Sequence, residues 1–247
     1  MKKRLLFVFA HPDDESFASA GTIAKYCSRG HEAFLICATS GCKGKSGEFE
    51  ITCRERLALH REQELRNACD LMGITELYLY RYADGSLIEQ DRDKMAERIK
   101  KTILEVKPHV VVTFPPDGVT GHPDHIAVSR ATEQAVLLSE KLLSGSDLPA
   151  FYYVSIPHYY EHCQDSGPEE RYPITGKVSI GNFRLRKGEA LKAHKSQVYS
   201  LNRAYPGVIR GDCHVIGDYE YYTLVRVEGK PVHPIVPPGE IPEIDLI

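Results

Sequence analysis

Two short clusters of side chains could carry chemistry in this sequence. One is His11, Asp13 and Asp14 in His-Pro-Asp-Asp-Glu. The other is His122, Asp124 and His125 in Gly-His-Pro-Asp-His. Imidazole and carboxylate are the ligands zinc takes when no thiolate is offered. A catalytic zinc uses three protein ligands and keeps a fourth position for water, whose pKa falls to ~7. Six candidates therefore leave spare groups to move protons and to orient the ligands. Mg2+ suits the set less well, because it prefers oxygen donors, whereas Fe2+ tolerates the same ligands. Spacing alone does not say which of the six bind metal. His122 and His125, three apart, can face one way on a helical turn. A lone His-Pro-Asp is often only a turn or a helix cap. Two such clusters, each at the end of an apolar run, point to a site.

Those runs belong to an alternation of elements. Short apolar segments at 5–10, 32–39, 77–80, 110–114 and 151–156 predict strands. Periodic segments at 17–28, 53–72, 91–106 and 126–143 predict helices, with Gly73 and Pro108 as stops. The pattern predicts an α/β fold: a Rossmann-like, doubly wound, mostly parallel sheet of about five strands. After Pro157 the rhythm changes. A strand near 177–180, a helix near 187–197 and a strand near 221–227 predict a small C-terminal cap. The expectation is a single domain over 1–247, with a core of about 1–157 and a cap and tail over 158–247. Ligands of open parallel sheets bind outside the carboxyl ends of the strands, where the strand order reverses. The clusters follow the first and fourth strands. A reversal between those two strands would make both loops line one crevice.

Composition narrows the class. The 247 residues are 42% hydrophobic and 26% charged with a net charge of −3, which is ordinary for a globular chain. No basic excess argues for nucleic acid, and no apolar run approaches a membrane span. Lys2, Lys3 and Arg4 precede six apolar residues, too few for a signal peptide. Seven cysteines without a C-x-x-C pattern predict reduced thiols and a cytoplasmic protein. Five prolines between Pro231 and Pro242 predict an extended tail, laid on the surface or across a second copy in a homo-oligomer.

At these residues the chain resembles the PIG-L/LmbE-like family of zinc-dependent N-deacetylases. The family's A-H-P-D-D-E stands as Ala10-His11-Pro12-Asp13-Asp14-Glu15, followed by Gly21-Thr22. Its G-H-P-D-H stands as Gly121-His122-Pro123-Asp124-His125. Supportive matches are A-H-x-S-Q at Ala193-His194-Lys195-Ser196-Gln197, R-x-x-E-L at Arg61–Leu65 and R-x-x-D at Arg81–Asp84. The likeness spans roughly residues 4–200. It implies one zinc per chain, held by His11, Asp14 and His125, with Asp13 as general base on the zinc-bound water. It implies that His122, oriented by Asp124, stabilises the oxyanion or assists departure of the amine. It implies removal of an acetyl group from a small N-acetylglucosamine-type sugar or sugar conjugate, with Arg61, Asp84, His194 and Gln197 near that substrate. From the residues themselves, Arg61 lies on an apolar helical stripe, paired either with Glu64 or with a ligand. Asp84 sits in a plausible turn. His194 and Gln197 are equally open to structural bonding. Two positions depart from the pattern. Cys42 replaces an acid in T-x-G-E-x-G, and Thr120 replaces a tyrosine that some relatives carry.

Other chemistries fit less well. Gly41-Cys42-Lys43-Gly44-Lys45-Ser46 half resembles a phosphate-binding loop, but Thr39 stands where that loop needs glycine. Lys43 and Lys45 could instead attract an anionic substrate. A metallophosphoesterase usually needs two metals about 4 Å apart and more carboxylates. A sugar-binding module with structural zinc would close the site with four protein ligands, leaving Asp13 without a role.

Overall fold

The computed structural model describes residues 2–157, 172–233, 235 and 239–247. Its centre is β1 (Arg4–Phe9), whose residues 5–9 are fully buried. A run that is apolar on both faces can be covered on both only inside a layered sheet. β1 pairs in parallel with β2 (Glu32–Thr39) on one side and with β4 (Val110–Thr113) on the other. β3 (Glu76–Tyr82) lies outside β2, and β5 (Ala150–Ser155) outside β4, both parallel. The order therefore reverses between β1 and β4, and the crevice at their carboxyl ends receives both His-Pro-Asp clusters.

The helices have local causes. Gly73, at φ 83°, ends α3 (Arg54–Met72) in the left-handed cap that glycine favours. Asp91 caps α4 (Arg92–Val106) by accepting from the amides of Asp93 and Lys94. His122 caps α5 (Pro123–Glu140) through its side chain, with Pro123 at the first helical position. The helix expected over 17–28 is two helices, α1 (Asp14–Ala18) and α2 (Ala20–Ser28). The chain leaves helical geometry at Ser19, where φ is −143°.

The C-terminal region differs from the expected cap. β6 (Gly176–Ser179) and β7 (Tyr219–Val227) continue the same sheet, giving the order β3-β2-β1-β4-β5-β7-β6. β7 runs antiparallel to both β5 and β6, and β8 (Lys230–Pro231) pairs with β7. The sheet, expected to have about five strands, thus has eight, two of them the strands expected in the cap. β6 is four residues long and β7 only half-buried, so neither shows the continuous apolar run that marks β1 and β2. The helix expected over 187–197 stops at Ala193 as α6 (Arg184–Ala193). A 3-10 turn (Lys195–Gln197) and α7 (Val198–Ala204) follow. The end of the tail returns to its own body. Ile244 bonds to Lys177, Leu246 is buried, and the Tyr26 hydroxyl donates to Asp245 at 2.6 Å. The six described cysteines are free thiols; Cys163 lies outside the described residues.

Candidate metal centre

His11 follows β1 directly, and the next turn brings Asp14 back beneath it, with the His11 amide donating to Asp14 Oδ2 at 2.7 Å. His125 lies in the first turn of α5, its ring stacked on Phe114 at 4.1 Å and 3°. Two ring nitrogens and one carboxylate converge. His11 Nδ1 is 3.3 Å from His125 Nε2, Asp14 Oδ1 is 3.3 Å from His125 Nε2, and Asp14 Oδ2 is 3.5 Å from His11 Nδ1. Ligands at about 2.1 Å around a tetrahedral metal lie about 3.4 Å apart.

The outer contacts fix the tautomers. His125 Nδ1 faces the Gly118 carbonyl at 3.0 Å, and a carbonyl can only accept. The proton therefore sits on Nδ1, leaving a lone pair on Nε2. Gly118 adopts φ 70°, and a Cβ there would come within 2.9 Å of His125 Cβ, so the approach needs glycine. His11 Nε2 faces two carboxylates, Asp124 at 3.2 Å and Asp84 at 3.2 Å. A proton belongs there, which leaves Nδ1 as the nitrogen turned to His125. With no metal bound, a second proton on His11 Nδ1 bridges the two rings, and a cation between them would take that proton's place. In the protein without metal, burial lowers the His11 pKa, but hydrogen bonds to Asp124, Asp14 and Asp84 raise it well above the ordinary value. Burial raises that of Asp14, but His125 and His11 hold its carboxyl well below the usual range.

His122 accepts at Nδ1 from the Asp124 amide, at 3.1 Å. Its proton is therefore on Nε2. Burial, His125 and His11 lower its pKa, so the ring is a neutral donor at pH 7. The expected support of His122 by the Asp124 carboxylate is corrected. That carboxylate, 0% exposed, is taken by His11 and by the amides of Gly85 and Leu87, at 2.7 and 2.9 Å. Only the Asp124 backbone reaches His122. Among the described residues two groups could hold a metal ion, His11–His122–His125 and His11–Asp84–Asp124. They lie on opposite nitrogens of the His11 ring, and Asp14, which belongs to neither, approaches the Nδ1 side shared with His125.

Asp13 stands beside that centre at φ 113° and ψ −32°, a conformation that costs a non-glycine residue about 1–3 kcal/mol. Burial pushes its carboxyl up to about 6, against the opposing charge of Arg61. Arg61 is buried and bonds to the Pro12 carbonyl at 2.5 Å, the Gly41 carbonyl at 2.7 Å and Asp13 Oδ2 at 3.2 Å. The alternative pairing with Glu64 does not occur, because Glu64 accepts from the amide and hydroxyl of Ser196.

A cavity of about 680 Å³ opens onto these groups. Arg61, Asp84 and Gln197 line it. Asp84 already accepts from the Lys43 amide, and the Gln197 amide donates to the Lys45 carbonyl. His194 does not line it. The ring is 0% exposed and bonds to Glu15 and Ser16, which removes it from direct substrate contact. Sequence reasoning assigned no role to Glu15, Phe114 or Arg203. Glu15 was visible as the last residue of its motif; Phe114 and Arg203 carried no local signal.

The model of the family described as PIG-L, GlcNAc-PI de-N-acetylase, matches residues 6–136, just over half of the 247. The chain belongs to the PIG-L family. It is 39% identical over 207 residues to a probable N-acetyl-α-D-glucosaminyl L-malate deacetylase 2 of Bacillus cereus, covering 81% of this chain and 86% of that one. It superposes on N,N'-diacetylchitobiose deacetylase of Pyrococcus horikoshii with a TM-score of 0.65 at 21% identity, covering 92% and 84% of the two chains. A 4-carboxy-2-hydroxymuconate hydratase of Pseudomonas putida superposes equally well, with a TM-score of 0.67 at 17% identity and coverage of 89% and 95%. The fold therefore hosts more than one reaction, and residues at the site must decide between them. In this PIG-L chain both departures lie at or beside the cavity. Thr120 lines it, and Cys42 precedes the cavity-lining Lys43.

Proposed function

We propose that this chain removes the acetyl group from an N-acetylglucosamine-type substrate, with one divalent metal held by His11, Asp14 and His125. The convergence of His11 Nδ1, His125 Nε2 and the Asp14 carboxylate within 3.5 Å, with Asp13 alongside, carries that reading. Two nitrogens and one carboxylate oxygen favour zinc, and Fe2+ would accept the same donors. A metal held there would lower the pKa of a water and polarise the acetyl carbonyl. Asp13 accepts a proton from the attacking water and delivers it to the departing nitrogen, so amide and water become acetic acid and amine. Arg61 holds the Asp13 carboxylate in place. His122 donates its Nε2 proton to the oxygen on which negative charge develops.

The Bacillus cereus relative is named for a malate-bearing sugar. Lys43 and Arg203 line the cavity, and neither pairs with an acid among the described residues. This uncompensated positive charge favours a sugar conjugate with an acidic aglycone. The free thiols support a reducing compartment, the cytoplasm; no described helix is long and apolar enough to cross a membrane.

Amine release from N-acetylglucosaminyl L-malate and from N,N'-diacetylchitobiose, with and without a chelator, tests the reaction. Chelator-sensitive release supports it; no release from either substrate by metal-loaded protein would refute it.

A further inference from the structure

Two residues of the sequence motifs have no part in that chemistry, Glu15 and His194, although they are 179 positions apart and bond directly. His194 Nε2 lies 2.7 Å from Glu15 Oε1, which also accepts from the Ser16 hydroxyl at 2.6 Å. The other oxygen, Glu15 Oε2, accepts from the Asp13 amide at 3.1 Å. Glu15 is 1% exposed, and Ser16 and His194 are 0% exposed. His194 Nδ1 is buried with no hydrogen-bond partner. Burying a ring with one nitrogen unsatisfied is unfavourable, and the compensation here is the bonding of Nε2 to Glu15 and Ser16.

We infer that Glu15 and His194 form a clamp that holds Asp13 in its left-handed backbone conformation and so aims its carboxylate at the reacting water. Three observations meet at this point. Asp13 has φ 113°, which a non-glycine residue keeps only when its surroundings enforce it. The one acceptor on its amide is Glu15. Glu15 cannot swing away, because His194 fixes its other oxygen from α6's end of the chain. That end is itself anchored. The amide and hydroxyl of Ser196 donate to Glu64, and Lys187 Nζ donates to the Phe17 carbonyl at the end of α1 at 2.8 Å. The C-terminal third of the chain thus also reaches the base through two buried side chains, Glu15 and His194, that do not line the cavity. Both are positioning residues.

The clamp rests on Asp13 being the base, and three variants separate the two ideas. Asp13→Asn tests the base itself. His194→Leu removes the clamp. His194→Gln restores a donor near Nε2, because the glutamine amide reaches the same place. On N-acetylglucosaminyl L-malate, His194→Leu should lower kcat by about 10- to 100-fold, as misplacement of a catalytic group by about 1 Å does. KM and bound metal should stay unchanged, and His194→Gln should recover most of kcat. A purely structural histidine would lower thermal stability in both variants and leave kcat per folded molecule intact, overturning the clamp. Should His194→Leu not fold, Glu15→Gln keeps the volume and breaks the pairing, with the same loss of kcat expected. A crystal structure of whichever variant folds decides without any substrate. The clamp requires Asp13 to leave its left-handed φ or its carboxylate to leave Arg61; an unmoved Asp13 overturns it. If Asp13→Asn is fully active, the base assignment fails instead.

Discussion

His11 Nδ1 and His125 Nε2 face each other across 3.3 Å, while each ring directs a proton from the opposite nitrogen to an oxygen acceptor. Asp124 and Asp84 fix one ring, and Gly118 fixes the other. The pair is thus prearranged to present one nitrogen each to a common point, as the outer contacts of metal-binding histidines do.

Asp124 should therefore govern metal affinity without being a ligand. Asp124→Asn weakens the acceptor of the His11 Nε2 proton. Affinity should fall about 10- to 100-fold, as read by competition with a chromophoric chelator. Unchanged affinity would remove Asp124 from the centre.

Gly41 is expected to be intolerant for a reason that involves Asp13. It adopts φ 64°, and a Cβ there would collide with the Arg61 guanidinium. Gly41→Ala should push Arg61 away from Asp13 and lower kcat at least about tenfold while bound metal is retained. Steady-state kinetics with metal analysis checks both.

The Glu62–Arg81 pair gives a pH signature in stability. Hydrogen bonding from Arg81, working against burial, holds the Glu62 carboxyl below its ordinary range; Ser40 adds a further bond. A depressed acid contributes stability above its unfolded pKa and loses that contribution as pH falls through the folded one. Arg81→Ala should lower stability slightly at pH 7, as loss of an ion pair with an exposed arginine does. The difference from the parent should shrink as pH falls below about 4. Denaturant melts at pH 7 and pH 3 test the sign.

Lys43 and Arg203 should select substrates by charge. Lys43→Gln and Arg203→Gln should each raise KM for N-acetylglucosaminyl L-malate by up to about fivefold, the scale of an exposed ion pair. The effect should fade with added salt. KM for neutral N,N'-diacetylchitobiose should not move; an equal change for both sugars would sink the acidic-aglycone preference.

Much of the site was legible because its histidines and aspartates are local to two strand ends. Continuous apolar runs marked β1 and β4, and the clusters follow them in the chain. What was not legible is long-range. The carboxylate of Asp124 supports His11, 113 positions away, and not its near neighbour His122. Glu15 meets His194 only because the C-terminal segment packs on α1. β6 and β7 were read as part of a cap because antiparallel, half-buried strands lack the run that a doubly covered strand shows. Arg61 was placed correctly on a buried stripe, but its partner Asp13 is fixed by the turn after β1 and not by helical spacing.

In the proposed metal-dependent deacetylation Asp13 moves the proton. Asp13→Asn, assayed for both bound metal and amine release, tests it most directly. The variant should hold about one metal per chain, as the parent does, with kcat lower by about 10²- to 10⁴-fold. Parental turnover in Asp13→Asn, or parental turnover in protein stripped of metal, would contradict it.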